Sequence, residues 1–191
     1  MSRYSKYDWL DEGLRVLADE GVSSLTIDTL AIRLNITKGS FYHHFKNQAH
    51  FITELLQHFE NAGTLQLIEY AEIGATPIEK FQRLIEIILR SPNRVEIVIR
   101  AWARVDAQVQ TLQAKIDAQR LAYVQALLMG IGFVPAQAAL MTQLLYTMLI
   151  GSEQIYATVE TNRLAALFTE FRRLYRIEFY EGEFNDDNRL S

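Results

Sequence analysis

Two short helical signals joined by a three-residue turn constrain this chain more than any other stretch. They fall within residues 25–46, LTIDTLAIRLNITKGSFYHHFK. Thr26 stands where a helix N-cap belongs, and Leu25 and Leu30 are spaced to staple that entry. Ile27, Leu30, Ala31 and Leu34 form one apolar face. Asn35, which tolerates a left-handed backbone better than most residues, then ends the helix. Thr37 repeats the N-cap, with Ile36 and Phe41 as a second staple pair. Phe41 and Phe45 lie one turn apart and are expected to point inward. Lys38, Tyr42 and Lys46 run along another line of the same cylinder, beside Gly39 and His43.

The rest of the chain carries the same period. With three Pro and nine Gly in 191 residues and no Val/Ile/Thr alternation, the pattern predicts an all-α protein of about nine helices. The first helix should span residues 5–20, with Gly13 in its middle implying a close helix crossing. After the hairpin, a long helix should run from residue 47 towards 74. Thr76-Pro77-Ile78-Glu79 opens the next, and Ser91-Pro92 opens one over 92–106. Helices over 107–130, 135–159 and 162–181 should complete the fold. No Pro or Gly marks a linker near residue 46. The chain therefore divides into an N-terminal unit, 1–46, and a C-terminal unit, 47–191, with the helix after Asn47 as a rigid connector.

Composition narrows the function classes. A net charge of −4 counts against a generic polyanion binder. Residues 1–58 hold six Lys/Arg against seven Asp/Glu, and four of those acids (Asp11, Glu12, Asp19, Glu20) belong to the first helix. Without Cys, disulfides and thiolate metal sites are ruled out, which suits a reducing cytoplasm. The first residues lack the apolar core of a secretory leader, and no apolar run has membrane-spanning length, so a cytoplasmic protein is expected. No nucleophile-base-acid set, phosphate loop or activated carboxylate pair stands out, so no enzyme and no cofactor are expected.

A helix that reads DNA needs small or long polar residues outward and large apolar ones inward. Lys38-Gly39-Ser40 meets this need: Gly39 permits close backbone approach, and Lys38 reaches phosphate or a guanine edge. Tyr42 offers a hydroxyl and a ring. His43, His44 and Lys46 can donate to phosphate, and Thr26 and Thr37 add neutral contacts at two helix starts. The plainer alternative is a polar helical hairpin within a bundle.

Residues 9–56 resemble the N-terminal domain of the TetR family of bacterial transcriptional regulators. The matching residues are Leu14, Leu17 and Gly21, then Thr26, Leu30 and Ala31, then the string from Ile36 to Phe45. The resemblance implies a homodimer reading a palindromic double-stranded operator, usually as a repressor, and a C-terminal domain that binds an effector and dimerises. It implies DNA contacts at Thr26, Thr37, Lys38, Gly39, Ser40, Tyr42, His43, His44 and Lys46. Two positions depart from the family pattern: Asn35 stands where Gly is usual, and Gln48 where a phosphate-binding Lys is usual, leaving that contact to Lys46. A DNA-bound structural or division-associated factor on the same fold is the alternative function.

All four His lie within 16 consecutive positions, but their spacing does not suit one metal ion. An imidazole beside phosphate instead predicts DNA affinity rising as pH falls through about 6.5. In the last helix, Leu164, Phe168, Phe171 and Tyr175 follow a 4-3-4 seam. With Leu144 on the helix before it, they are expected to form a four-helix dimer interface; ordinary core is the alternative. An unidentified small-molecule effector is expected among Trp102, Arg104, Tyr123, Met141, Tyr146 and Met148, with Arg100 and Asp106 as further polar groups. Trp102 could equally be core, and Arg104 and Asp106 a surface pair.

Overall fold

The structure is a computed structural model that describes residues 4–90, 94–155 and 161–177. Its helices are α1 (Lys6–Glu20), α2 (Ile27–Arg33), α3 (Lys38–His44), α4 (Gln48–Glu60), α5 (Gln66–Glu72), α6 (Pro77–Arg90), α7 (Arg94–Trp102), α8 (Ala107–Ile131), α9 (Pro135–Ile155) and α10 (Thr161–Tyr175). A π-helical turn, Asn61–Leu65, joins α4 to α5 without a break. Counted as one run, these make nine helices among the described residues, and no strand occurs there. None of these helices is long and apolar enough to cross a membrane.

Of the expected N-caps, Thr26 and Thr76 accept a hydrogen bond from their helix and Thr37 does not. Ser5 and Asp8 make a capping box on α1, and the Thr26 hydroxyl accepts from the Thr29 amide at 3.1 Å. Asp106 is the N-cap of α8, accepting from the amides of Gln108 and Val109 at 2.9 and 3.1 Å. It is therefore a helix cap and not a cavity group. It also explains why α7 stops at Trp102 and not at 106: the chain tightens into turns at residues 103–105 before the new cap. The Ser91-Pro92 start lies outside the described residues, as does the expected helix end beyond residue 155. The last helix, expected to reach residue 181, stops at Tyr175: Arg176 takes a left-handed φ of 54° and the Ile177 amide closes back on Arg172 O at 3.0 Å.

Two apolar cores organise the fold. The first gathers Trp9, Val16 and Leu17 of α1, Leu30 of α2, Phe41 and Phe45 around α3, and Phe51, Leu55 and Phe59 of α4. Ile99, Trp102, Val109 and Ile116 close its underside, so the N-terminal helices rest on α4, α7 and α8. At Gly13 a Cβ would come within 2.8 Å of Phe51 Cζ and 2.9 Å of Leu55 Cδ1, so the absent side chain is what lets α1 and α4 cross closely. The second core joins α6, α8, α9 and α10 through Phe81, Leu128, Met141, Leu145, Leu164, Phe168 and Phe171.

That second core corrects the expected dimer seam. Leu164, Phe168 and Phe171 are buried within their own subunit, and Tyr175 packs against the same core. The large apolar side chains left exposed on the described parts of these helices are Leu140, Leu144 and Ile155 of α9 and Leu167 and Leu174 of α10. The 4-3-4 spacing identifies a buried stripe, but a subunit core and a dimer seam present the same spacing.

Candidate nucleic-acid interface and internal cavity

The turn between α2 and α3 is built as its residues require. Asn35 sits at φ 54°, the left-handed region. Its amide donates to Ile32 O, and the Ile36 amide to Ala31 O, both at 3.0 Å. This is a Schellman closure, with Asn in the position Gly usually takes. Below the turn, Phe41 is fully buried, its ring centroid 5.3 Å from that of Trp9 and 5.5 Å from that of Phe51. That aromatic anchor orients α3.

With Phe41 and Phe45 held inward, Thr37, Lys38, Gly39, Tyr42, His43 and Lys46 are exposed together. Tyr42 remains 59% accessible, high for an aromatic residue. The Thr37 side chain makes no capping bond to α3. Thr26 and Ser40 are half-buried at the edge of this face. His44 differs from the rest: its Nε2 is buried and has no hydrogen-bond partner among the described residues. Lys38 Nζ pairs with Asp28. Gln48 is exposed as well, but its side-chain amide is engaged, donating to Leu25 O at 2.9 Å.

Acids of α1 bind the scaffold of this surface. Arg33, at the end of α2, bridges Glu12, Asp19 and Glu20 at 2.5, 3.0 and 2.8 Å. Asp11 meets His58 of α4 at 2.7 Å, and Lys6 meets Glu54 at 2.6 Å. These pairs tie α1 to α2 and α4.

A cavity of about 330 Å³ lies between the π turn and α5 on one side and α6, α7, α8, α9 and α10 on the others. That is the lower end of the range for small-molecule sites. Tyr123 and Tyr146 line it, as expected. Trp102, Arg104, Met141 and Met148 do not: Trp102 belongs to the first core, Arg104 is exposed, and Met141 and Met148 pack into the second core. Arg100 stands just behind the wall, bound to Tyr146.

The polar part of the wall was not legible as a site in the sequence. Glu96, 2% exposed, pairs with Arg100 Nε at 2.8 Å and Arg120 Nη2 at 3.1 Å. Arg100 also makes two bonds to Asp117, at 3.1 and 2.7 Å. Arg100 donates to the Tyr146 hydroxyl at 2.8 Å, and Tyr146 donates to Asp117 Oδ1 at 2.6 Å. Burial pushes the Tyr146 hydroxyl up to about 12. Burial also works against the Asp117 carboxylate, but hydrogen bonds from Arg100, Tyr146 and Gln113 outweigh it and hold the group below the usual range. Arg120 continues to the π turn, donating to the Thr64 hydroxyl at 2.9 Å and to Gly63 O at 3.0 Å. Glu153 completes the wall. One signal for it was available: it is the one charged residue in the 21 residues of α9.

Residues 10–55 match the family model described as bacterial regulatory proteins, tetR family. The HTH-type transcriptional regulator AcrR of Shigella flexneri is 30% identical over 83 residues, a stretch covering 43% of this chain and 39% of that protein. Among solved structures, a TetR-family transcriptional regulator from Streptomyces coelicolor superposes with a TM-score of 0.73 at 16% identity, covering 91% of this chain and 90% of that one. A transcriptional regulator from Aquifex aeolicus VF5 gives 0.68 at 19% identity, covering 90% and 97%. One from Saccharomonospora viridis, solved in complex with choline, gives 0.74 at 14% identity, covering 88% and 95%. At these identities the structures share the fold.

Proposed function

The chain belongs to the TetR family of bacterial regulatory proteins, and from that premise we propose that it is a cytoplasmic, homodimeric repressor that leaves a palindromic operator when a small molecule fills the cavity. The observation that carries this reading is Arg120. It joins the cavity wall, through Glu96, to the π turn that continues directly into α4. A π turn is a frequent mark of a functional position in a helix. A ligand that shifts Arg120 shifts the helical run leading back to α3.

Each subunit reads one half-site with Thr37, Lys38, Gly39, Tyr42, His43 and Lys46, with Thr26 and Ser40 at the edge. His44 contributes through the shape of α3. The subunits meet through Leu140, Leu144, Leu167 and Leu174. Two reading helices must sit about 34–36 Å apart to enter successive major grooves, so a shift of a few Å releases the DNA. The choline complex of the S. viridis protein supports a small organic molecule as the kind of ligand this fold accepts.

Selection of bound DNA from a random pool tests the reading. A palindrome with half-sites one helical turn apart, bound more weakly as salt rises, is the expected product. Recovery of unrelated sequences, or of half-sites without symmetry, overturns it.

A further inference from the structure

We infer that the cavity takes an organic monocation with an apolar body, its positive centre seated against the Glu153 carboxylate; this assignment rests on the reading of the cavity as the effector site. Glu153 is 8% exposed and lines the cavity. Its Oε2 has no hydrogen-bond partner among the described residues. A buried carboxylate without a partner is costly, and a cation is the ligand group that removes that cost.

The other charged groups at this end of the cavity are already paired. Arg100 and Glu96 on α7, and Arg120 and Asp117 on α8, form ion pairs with one another, with Tyr146 of α9 between them. Two arginines stand against Glu96 and Asp117, so the ionised Glu153 leaves one negative charge over. An anionic ligand would meet that charge with no arginine free to answer it. The face that α10 turns to the cavity is apolar, with Leu164 and Phe168. Along α9, Leu145 and Leu149 run from Glu153 towards Thr142, whose hydroxyl is also buried without a partner among the described residues. Head at Glu153 and apolar body along Leu149 and Leu145 is the orientation this wall accepts.

Burial, and then the charge of Glu96, push the Glu153 carboxyl up to about 7, against the pull of Arg100 and Arg120. A permanent cation binds the ionised form. Its affinity is therefore highest above pH 7, and is expected to fall about tenfold from pH 8 to pH 6 as the ligand must displace a proton.

The test is calorimetric titration of the full chain with benzyl-, hexyl- and decyltrimethylammonium, against the alcohols and carboxylates carrying the same arms. At least one ammonium is expected to bind at pH 8 at least tenfold tighter than its alcohol and carboxylate. Glu153→Gln is expected to weaken that ammonium at least tenfold and leave the alcohol unchanged. Should the variant not fold, the wild-type pH series decides alone. Absence of ammonium binding, tighter binding of the carboxylates, or affinity indifferent to both Glu153→Gln and pH overturns the assignment. Selected operator DNA is then added. A Glu153-dependent cation that binds without releasing DNA leaves the ligand class standing and overturns effector release; operator binding without any cation binding does the reverse.

Discussion

Arg120, on α8, donates through Nε to the hydroxyl of Thr64, in the π turn between α4 and α5, at 2.9 Å. The bond fastens the wall of the cavity to the helical run that begins at Gln48, with three residues between it and the end of α3. Arg120→Gln should therefore separate two properties. Operator affinity is expected to change less than threefold, while release by the effector is lost. Glu96 keeps Arg100, so the stability cost should stay near 1–2 kcal/mol, a fall in Tm of about 2–8 °C. Gel-shift titrations with and without ligand, beside a melting curve, check both.

On the reading surface, Lys38→Ala and Tyr42→Phe should weaken operator binding without changing Tm by more than a degree or two, because both side chains are exposed. About 1–3 kcal/mol per contact corresponds to roughly 5- to 150-fold in Kd. If both variants bound the operator like wild type, the assignment of α3 as the reading helix would fail.

His43 and His44 are adjacent but placed differently, one exposed and one with its Nε2 buried. His43→Ala is expected to weaken operator binding without a change in Tm, because that side chain is exposed. Operator binding equal to that of wild type, measured by fluorescence anisotropy, removes His43 from the phosphate contacts.

The crossing of α1 and α4 leaves no room at Gly13. Gly13→Ala should destabilise by about 1–3 kcal/mol, since Phe51 and Leu55 must move from the fully buried aromatic cluster. A denaturant midpoint equal to or above that of wild type would show that the helices part without strain.

Dimer and core residues of α9 and α10 should respond in opposite ways. Leu144→Arg with Leu167→Glu is expected to yield monomers of near-normal secondary structure. Phe168→Ala should instead cost about 3–5 kcal/mol of stability, because that ring is buried within its own subunit. Light scattering and thermal melts on both variants decide whether the exposed face or the buried stripe joins the subunits.

Stability itself should depend on Glu153. Its carboxyl holds its proton to about pH 7 in the fold but ionises near 4.5 when unfolded, so the native state binds more protons across that window. Stability then declines as pH rises from about 4.5 to 7 through this group. Glu153→Gln is expected to melt higher than wild type at pH 8 and to lose that advantage at pH 5. A variant less stable than wild type at pH 8 would mean the charged form has a partner in the fold.

What the chain discloses by itself is whatever depends on neighbours in sequence. Thr26, Asn35 and Thr76 act within four residues of where they stand, so those helix starts and the left-handed turn could be read directly. Phe41 and Phe45, one turn apart, oriented the exposed face of α3 without any need to know what they pack against. The tertiary structure alone decided which apolar stripe is subunit core: Leu164, Phe168 and Phe171 have the spacing of a dimer seam, and only the positions of α6, α8 and α9 show them covered from within. It also decided the cavity wall. Glu96, Arg120 and Glu153 are far apart in the chain, and a charge among apolar neighbours becomes a site only when distant helices bury it. Local hydrogen bonds and periodicity are short-range and survive in sequence; burial and pairing of charges are set by long-range packing.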